Sequence, residues 1–383
     1  MERELTLGIK SANLSIYSTL ARVPEIQLLF IGPLACTRHG ILEAVLNLQE
    51  RMSFLCVNAT DVIIGSYLNK ITEAAEQIHA ETSAKGLILI TCCQNSLLGT
   101  DFDGITHDLS QKLQIPVRHL EINRLYLYAK RPKPAMRIPQ TEFIYEFLLP
   151  MPRAAEPTVT LIGNPVGIDK KSELFDFLHA AGIRKIFHIA DCQTFQEYMA
   201  MAQSHLNIAL NEESIRIATA LEQRLEIPFL ALDAVYSPDE LNKQYLAIGD
   251  FFNTKFDISQ DIELLKNRAN DISQKLSGTS IVIDGSITEH PLALAKWLLE
   301  MGFHVKAINL TDFSTKEPTI ASWFAQHHPQ TEIRHNRYRP SPTLLSSEQL
   351  RSRQTNPLPT VGLHTCHRAL DKIEQILSKE EHA

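Results

Sequence analysis

Cysteine is the residue type with the most chemistry to offer in this chain. Six occur, at positions 36, 56, 92, 93, 192 and 366. None forms a CxxC pair, zinc-finger spacing is absent, and a reducing compartment disfavours a disulfide framework. A metal held by these thiols would draw its ligands from distant parts of the chain. Cys36 lies in LLFIGPLACTRHG (28–40), just past an apolar run that Gly32 and Pro33 break and where a helical pattern begins. A helix N-terminus lowers a thiol's pKa and favours thiolate, the ligand form. Cys92 and Cys93 end a second apolar run, LILITCC (87–93). A thiol at a strand end is either buried filler or a ligand, and at this level both readings stand for Cys36 and Cys93. Cys92 shares the strand end but, one residue earlier, is expected on the other side of the pleat. Cys56, inside FLCVN, reads as core filler, and Cys192 as core or surface. His364, Cys366 and His367 form the run HTCH, which fits no standard zinc pattern. His39, one turn after Cys36, is either a neighbour of the thiol or a solvated helix residue.

Short apolar runs alternate with amphipathic helical patterns along the chain. LLFIG (28–32), FLCVN (54–58) and LILITCC (87–93) form one group. VTLIGNP (159–165), KIFHIAD (185–191), LNIAL (206–210) and FLALDAV (229–235) form a second. SIVIDGS (280–286), HVKAINL (304–310) and EIRHNRY (332–338) form a third. Runs apolar on both sides, alternating with helices, indicate parallel sheets with both faces covered. The expected fold class is α/β, with three Rossmann-like domains. Proline-rich stretches set the boundaries at 1–150, 151–278 and 279–383, the last closing in a helix. In such sheets ligands bind beyond the carboxyl ends of the strands, which is where the cysteines fall.

Composition narrows the classes. The chain has 383 residues, 44% hydrophobic and 21% charged, with a formal charge of −7. That length favours two or three cores. The charge gives no footprint for nucleic acid or an anionic membrane. The N-terminus, MERELTLGIK, lacks the apolar core of a signal peptide. No run has the length of a membrane span. The expected location is the cytoplasm. Basic and aromatic residues mix in RLYLYAKRPKPAMR (124–137), which reads as a solvated linker or a carboxylate-binding patch. No GxxxxGK[ST] motif is present, so nucleotide hydrolysis would belong to a partner.

Three segments together resemble the nitrogenase component 1 family. FIGPLACTRHG resembles its cysteine loop. NATDVIIGSYLNKITEAAEQI (58–78) resembles the segment in which an Asp leads into a Gly and a Lys/Asn-rich helix. LILITCCQNSLLGTDFDGI (87–105) resembles the strand that ends in Thr-Cys and is followed by a Gly and an acidic pair, here Thr91, Cys93, Gly99, Asp101 and Asp103. SIVIDGSITEHPLALAKWLLEMGFHV (280–305) fits the family's last domain.

The resemblance implies a [4Fe–4S] cluster at a subunit interface, with Cys36 and Cys93 as ligands and Cys92 as a substitute or extra. The family's first cysteine position falls on Ser11. One chain then offers too few thiolates for a four-iron cluster, and two chains on a two-fold axis offer four. The partner is a second copy or a paralogous subunit. The position of the family's catalytic-cofactor cysteine, counted back from Ile227–Pro228, falls on Leu210, which argues against that cofactor and against dinitrogen reduction. By length the chain is nearer the compact tetrapyrrole-reducing members, which receive electrons from an ATP-hydrolysing iron protein. The implied function is the catalytic component of such a two-component oxidoreductase. The alternatives are a scaffold for maturing a metal cofactor and a non-enzymatic small-molecule binding protein.

Overall fold

A computed structural model describes residues 3–7, 16–43, 48, 50–122, 140–285, 287, 288, 290–310, 317–335 and 359–380. Ser11 and the segment 124–137 lie outside the described residues, as does the side chain of His39.

Twelve described strands form three parallel four-stranded sheets. The first contains β2 (Ile26–Gly32), β3 (Met52–Cys56), β4 (Gly86–Cys92) and β5 (Val117–Ile122), in the order β3-β2-β4-β5. The second contains β6 (Thr158–Ile162), β7 (Lys185–His188), β8 (Leu206–Ala209) and β9 (Phe229–Ala231), in the order β7-β6-β8-β9. The third contains β1 (Arg3–Leu7), β10 (Thr279–Asp284), β11 (His304–Leu310) and β12 (Glu332–His335), in that order. The described strands of each of the three groups of apolar runs therefore lie in one sheet. β1 is the exception. It pairs with β10, Arg3 opposite Thr279 through Leu7 opposite Ile283, so the N-terminal strand closes the last sheet rather than joining its sequence neighbours.

Every residue of β2 and of β4 is buried, as the unbroken apolar runs require of strands covered on both faces. Side chains of β4 alternate between two cores. Leu87 and Leu89 pack with Leu29, Ile31, Ile71 and Phe102 on the outer face of the first sheet. Ile88, Ile90 and Cys92 pack with Phe30, Tyr145, Phe187 and Tyr198 between the first and second units. A third core joins the second and third sheets through Leu161, Ile208, Ile281, Trp297 and Leu370. All three units are thus packed through shared apolar side chains.

In the first sheet the chain runs outward from β2 to β3, then returns to lay β4 on the other side. That reversal is a topological switch point, and it opens a crevice at the carboxyl ends of β2 and β4. The six helices that frame this end are α1 (Ile16–Leu20), α2 (Leu34–Glu43), α3 (Ala59–Ile64), α4 (Tyr67–Thr82), α5 (Cys93–Leu98) and α6 (Phe102–Leu113).

Candidate metal centre

Two strand ends build the candidate centre. β2 stops at Gly32, and Pro33 hands the chain to α2. The first turn is fixed by Cys36 N–H donating to Pro33 O at 2.9 Å and by Thr37 Oγ1 donating to Leu34 O at 2.8 Å. Cys36 sits in that first turn, half-buried against the inner core. β4 stops at Cys92, which has extended geometry (φ −112°, ψ 179°) and is the N-cap of α5.

The structure corrects one expectation about orientation. Cys92 does not point away from Cys36. The strand persists through residue 92, so pleat parity puts Cys92 on the side of Ile88 and Ile90, facing the core that Cys36 also packs against. Thr91 takes the opposite side, buried, with its hydroxyl 2.8 Å from His119 Nε2. Cys93 opens α5, where strand parity no longer applies, and is half-buried.

Cys36 and Cys92 pack in the same core, close enough that the Cys36 sulfur acts on the Cys92 thiol. Burial pushes the Cys92 thiol up to about 11, and the neighbouring Cys36 and Cys93 sulfurs push the same way. The Gln94 backbone N–H donates to the Cys92 sulfur and acts in the opposite sense. A Cβ placed on Gly32 would stand 3.1 Å from Cys92 Sγ and 3.2 Å from the Phe30 ring. The glycine leaves the sulfur its space.

The other cysteines are elsewhere or otherwise engaged. Cys56 is exposed rather than core filler, because β3 is an edge strand and its end is uncovered. Cys192 lies near His188 O at 3.5 Å and Met201 Sδ at 3.9 Å, and burial raises its thiol to about 12. Cys366 is 2% exposed in the core. Its neighbours in the HTCH run diverge, His364 to Asp169 at 3.4 Å and His367 to Arg268 at 3.3 Å. Leu210 is buried in the core of the second sheet. Among the described residues no group of three or more His, Cys, Asp or Glu side chains is arranged to hold a metal ion. One chain brings together a pair of thiols, which is half of what a four-iron cluster needs.

The surface around the pair is apolar. Leu34 and Ile41 on α2, Ile63 and Ile64 on α3, Leu68 on α4 and Leu98 on α5 are all exposed, Ile63 to 83% and Leu34 and Ile64 to 67% each. α3 is held firmly in place. Asn58 and Asp61 cap it reciprocally, with Asp61 N–H donating to Asn58 Oδ1 at 2.9 Å. Asp61 is buried and takes Lys70 Nζ at 2.6 Å and Ser66 Oγ at 3.1 Å. Lys70 holds its carboxyl below the usual carboxylate range, helped by the Asn58 N–H. The sequence reading missed this rim. Its signal was the adjacent pair Ile63–Ile64 in a helix too short to bury both.

A separate cavity of about 450 Å³ lies where the second and third sheets meet. Glu212, Asp233, Glu240, Glu317 and His290 line it, with His290 Nδ1 3.4 Å from Glu317 Oε1, and no lysine or arginine is among the described residues that line it.

The profile of the family described as Nitrogenase component 1 type Oxidoreductase matches residues 21–331. The chain belongs to that family. The family binds iron–sulfur clusters, works with a partner iron protein and is typically oligomeric. Among solved structures the chain is similar to "Nitrogenase Cp1 at pH 6.5", with a TM-score of 0.50 and 13% identity, over 81% of this chain and 64% of that one. It is also similar to "Nitrogenase Cp1 at pH 5", with a TM-score of 0.52 and 14% identity, over 94% of this chain and 73% of that one. At these identities the likeness is one of fold, and the family member described here spans about two thirds to three quarters of those chains' length. No curated protein matches. No helix among the described residues is long and apolar enough to cross a membrane.

Proposed function

We propose that this family member is the catalytic component of a two-component reductase that carries a [4Fe–4S] cluster on the axis of a subunit pair. The observation that supports it is a half-set of thiols at the switch point of the first sheet, ringed by exposed apolar side chains. A complete site in one chain would need no such rim, and a rim of this kind marks a surface that another protein covers. Cys36 and the Cys92–Cys93 tandem of each chain would supply the thiolates. The second chain is a second copy, since a two-fold axis doubles two thiols to four; a paralogous subunit is the alternative.

Bound there, such a cluster takes and gives single electrons. The chain's own residues do the remaining work. β2 and β4 fix the positions of the two sulfurs, and Gly32 keeps the space over Cys92 clear. Phe30, Phe54 and the inner core exclude water from one side, while the rim does so from the other once it is covered. ATP hydrolysis falls to the iron-protein partner in this reading, in keeping with the lack of a GxxxxGK[ST] motif in the sequence. A tetrapyrrole is the substrate class that the sequence resemblance suggests.

The test is ATP-dependent electron transfer. Anaerobic protein reduced with dithionite is expected to give a [4Fe–4S] EPR signal. An iron protein of the matching type should reduce it only when ATP is hydrolysed, with turnover of a tetrapyrrole substrate. A permanent cluster with a single stoichiometric release of cargo and no turnover would favour the scaffold role. A colourless, iron-free protein would leave the binding-protein role.

A further inference from the structure

We propose that Cys36 and Cys92, and not Cys93, are the two thiols by which each chain holds the cluster. This rests on the cluster reading above and sharpens it. Counting residues back from Gly99 selects Cys93 as the ligand. The backbone selects Cys92.

Three observations converge. β4 keeps its strand geometry through residue 92, so the Cys92 side chain emerges on the face of Ile88 and Ile90, where Cys36 also packs. Gly32, the last residue of β2, is the position whose missing Cβ leaves room for Cys92 Sγ; an added Cβ would stand 3.1 Å away. Cys93 is the first residue of α5, and its side chain leaves from a helical rather than an extended backbone. Two sulfurs per chain, closed by two more from a partner, give the four thiolates of such a cluster.

Two experiments on the full chain test this. The first compares Cys36→Ala, Cys92→Ala and Cys93→Ala, each purified without oxygen and reconstituted with iron and sulfide beside the wild type. Iron, acid-labile sulfide and the EPR signal are read, with the melting temperature as a control for folding. The expected result is loss of cluster in Cys36→Ala and Cys92→Ala and wild-type iron in Cys93→Ala. Cluster lost in Cys93→Ala and kept in Cys92→Ala overturns the assignment and leaves the cluster reading intact. A wild type that takes up no iron overturns both.

The second needs no cluster and no variant that may misfold. Iron-free wild-type chain is treated with diamide, which accepts two electrons and two protons as it becomes the hydrazine while two thiols become one disulfide. Peptide mass mapping is expected to find Cys36 joined to Cys92. Cys36 joined to Cys93 in its place, or both left free while exposed Cys56 reacts, overturns the juxtaposition.

Discussion

At the scale of single residues, Gly32 sets the space around the Cys92 sulfur. Its Cβ would meet Cys92 Sγ at 3.1 Å and the Phe30 ring at 3.2 Å, and both neighbours lie in a packed core. Gly32→Val is therefore expected to cost about 1–3 kcal/mol by overpacking and to lower iron per chain, checked by urea denaturation and metal analysis. Unchanged stability and iron would show that the space over Cys92 is not limiting. A second residue gives a pH signature. His119 is stacked on Phe102 at 4.2 Å and burial holds its ring down to about 4, against the weaker upward pull of Glu121 and Asp103. The folded chain thus keeps this ring neutral where the unfolded chain has begun to protonate it. Stability should fall as pH drops from about 6.5 to about 4 and flatten below, by up to about 3 kcal/mol in all. His119→Gln is expected to remove that part of the slope in denaturation curves taken across the range. The cysteines themselves were legible in the sequence as strand-end thiols. Which of the tandem pair faces Cys36 was not, because it depends on the residue at which the strand gives way to the helix.

At the scale of elements, α3 is a short helix whose position is fixed by polar groups and whose outer face is apolar. Asn58→Ala removes the side-chain acceptor for Asp61 N–H and is expected to cost about 1 kcal/mol, the usual worth of an N-cap. Ile63 and Ile64 touch little within the chain, so Ile63→Asp with Ile64→Asp should leave stability within about 0.5 kcal/mol. The same double substitution is expected to weaken association between subunits or with the reductase, seen as a shift to the smaller species in sedimentation. A double variant that associates as the wild type does would remove the rim from the interface. The strands of all three groups were legible as apolar runs, because a strand buried on both faces shows as unbroken hydrophobicity. The rim was not, since an exposed isoleucine and a buried one are the same letter.

At the scale of the whole molecule, the two ends of the described chain meet in the third unit. β1 pairs along β10, and the C-terminal helix His364–Glu380 is fastened to the second and third units. The Glu173 carboxylate accepts the backbone N–H groups of Leu363 and of His364, the latter at 3.2 Å, and the Tyr245 hydroxyl at 2.9 Å. Arg268 reaches Asp371 at 2.6 Å and Glu374 at 2.5 Å. Gly362 is required at the turn before the helix, with φ 66° and no room for a Cβ beside Glu173. Charge-assisted hydrogen bonds of this kind are worth about 1.5–3 kcal/mol each. Glu173→Gln is expected to loosen the helix, read as faster proteolysis near the C-terminus with the first sheet still protected; equal cleavage in both proteins would place the fastening elsewhere. The closure by β1 was beyond sequence reasoning. Five residues, RELTL, identify a strand but not a partner that lies at the other end of the chain. The HTCH run, which fits no standard zinc pattern, takes part in this docking through His364 and buried Cys366.

The central claim is that one cluster is shared by two chains, and native mass spectrometry of the anaerobic protein tests it most directly. The account predicts a species of two chains carrying ~4 iron and ~4 sulfide, about two irons per chain. A single chain holding a complete cluster, or a dimer that stays iron-free after reconstitution, would contradict it.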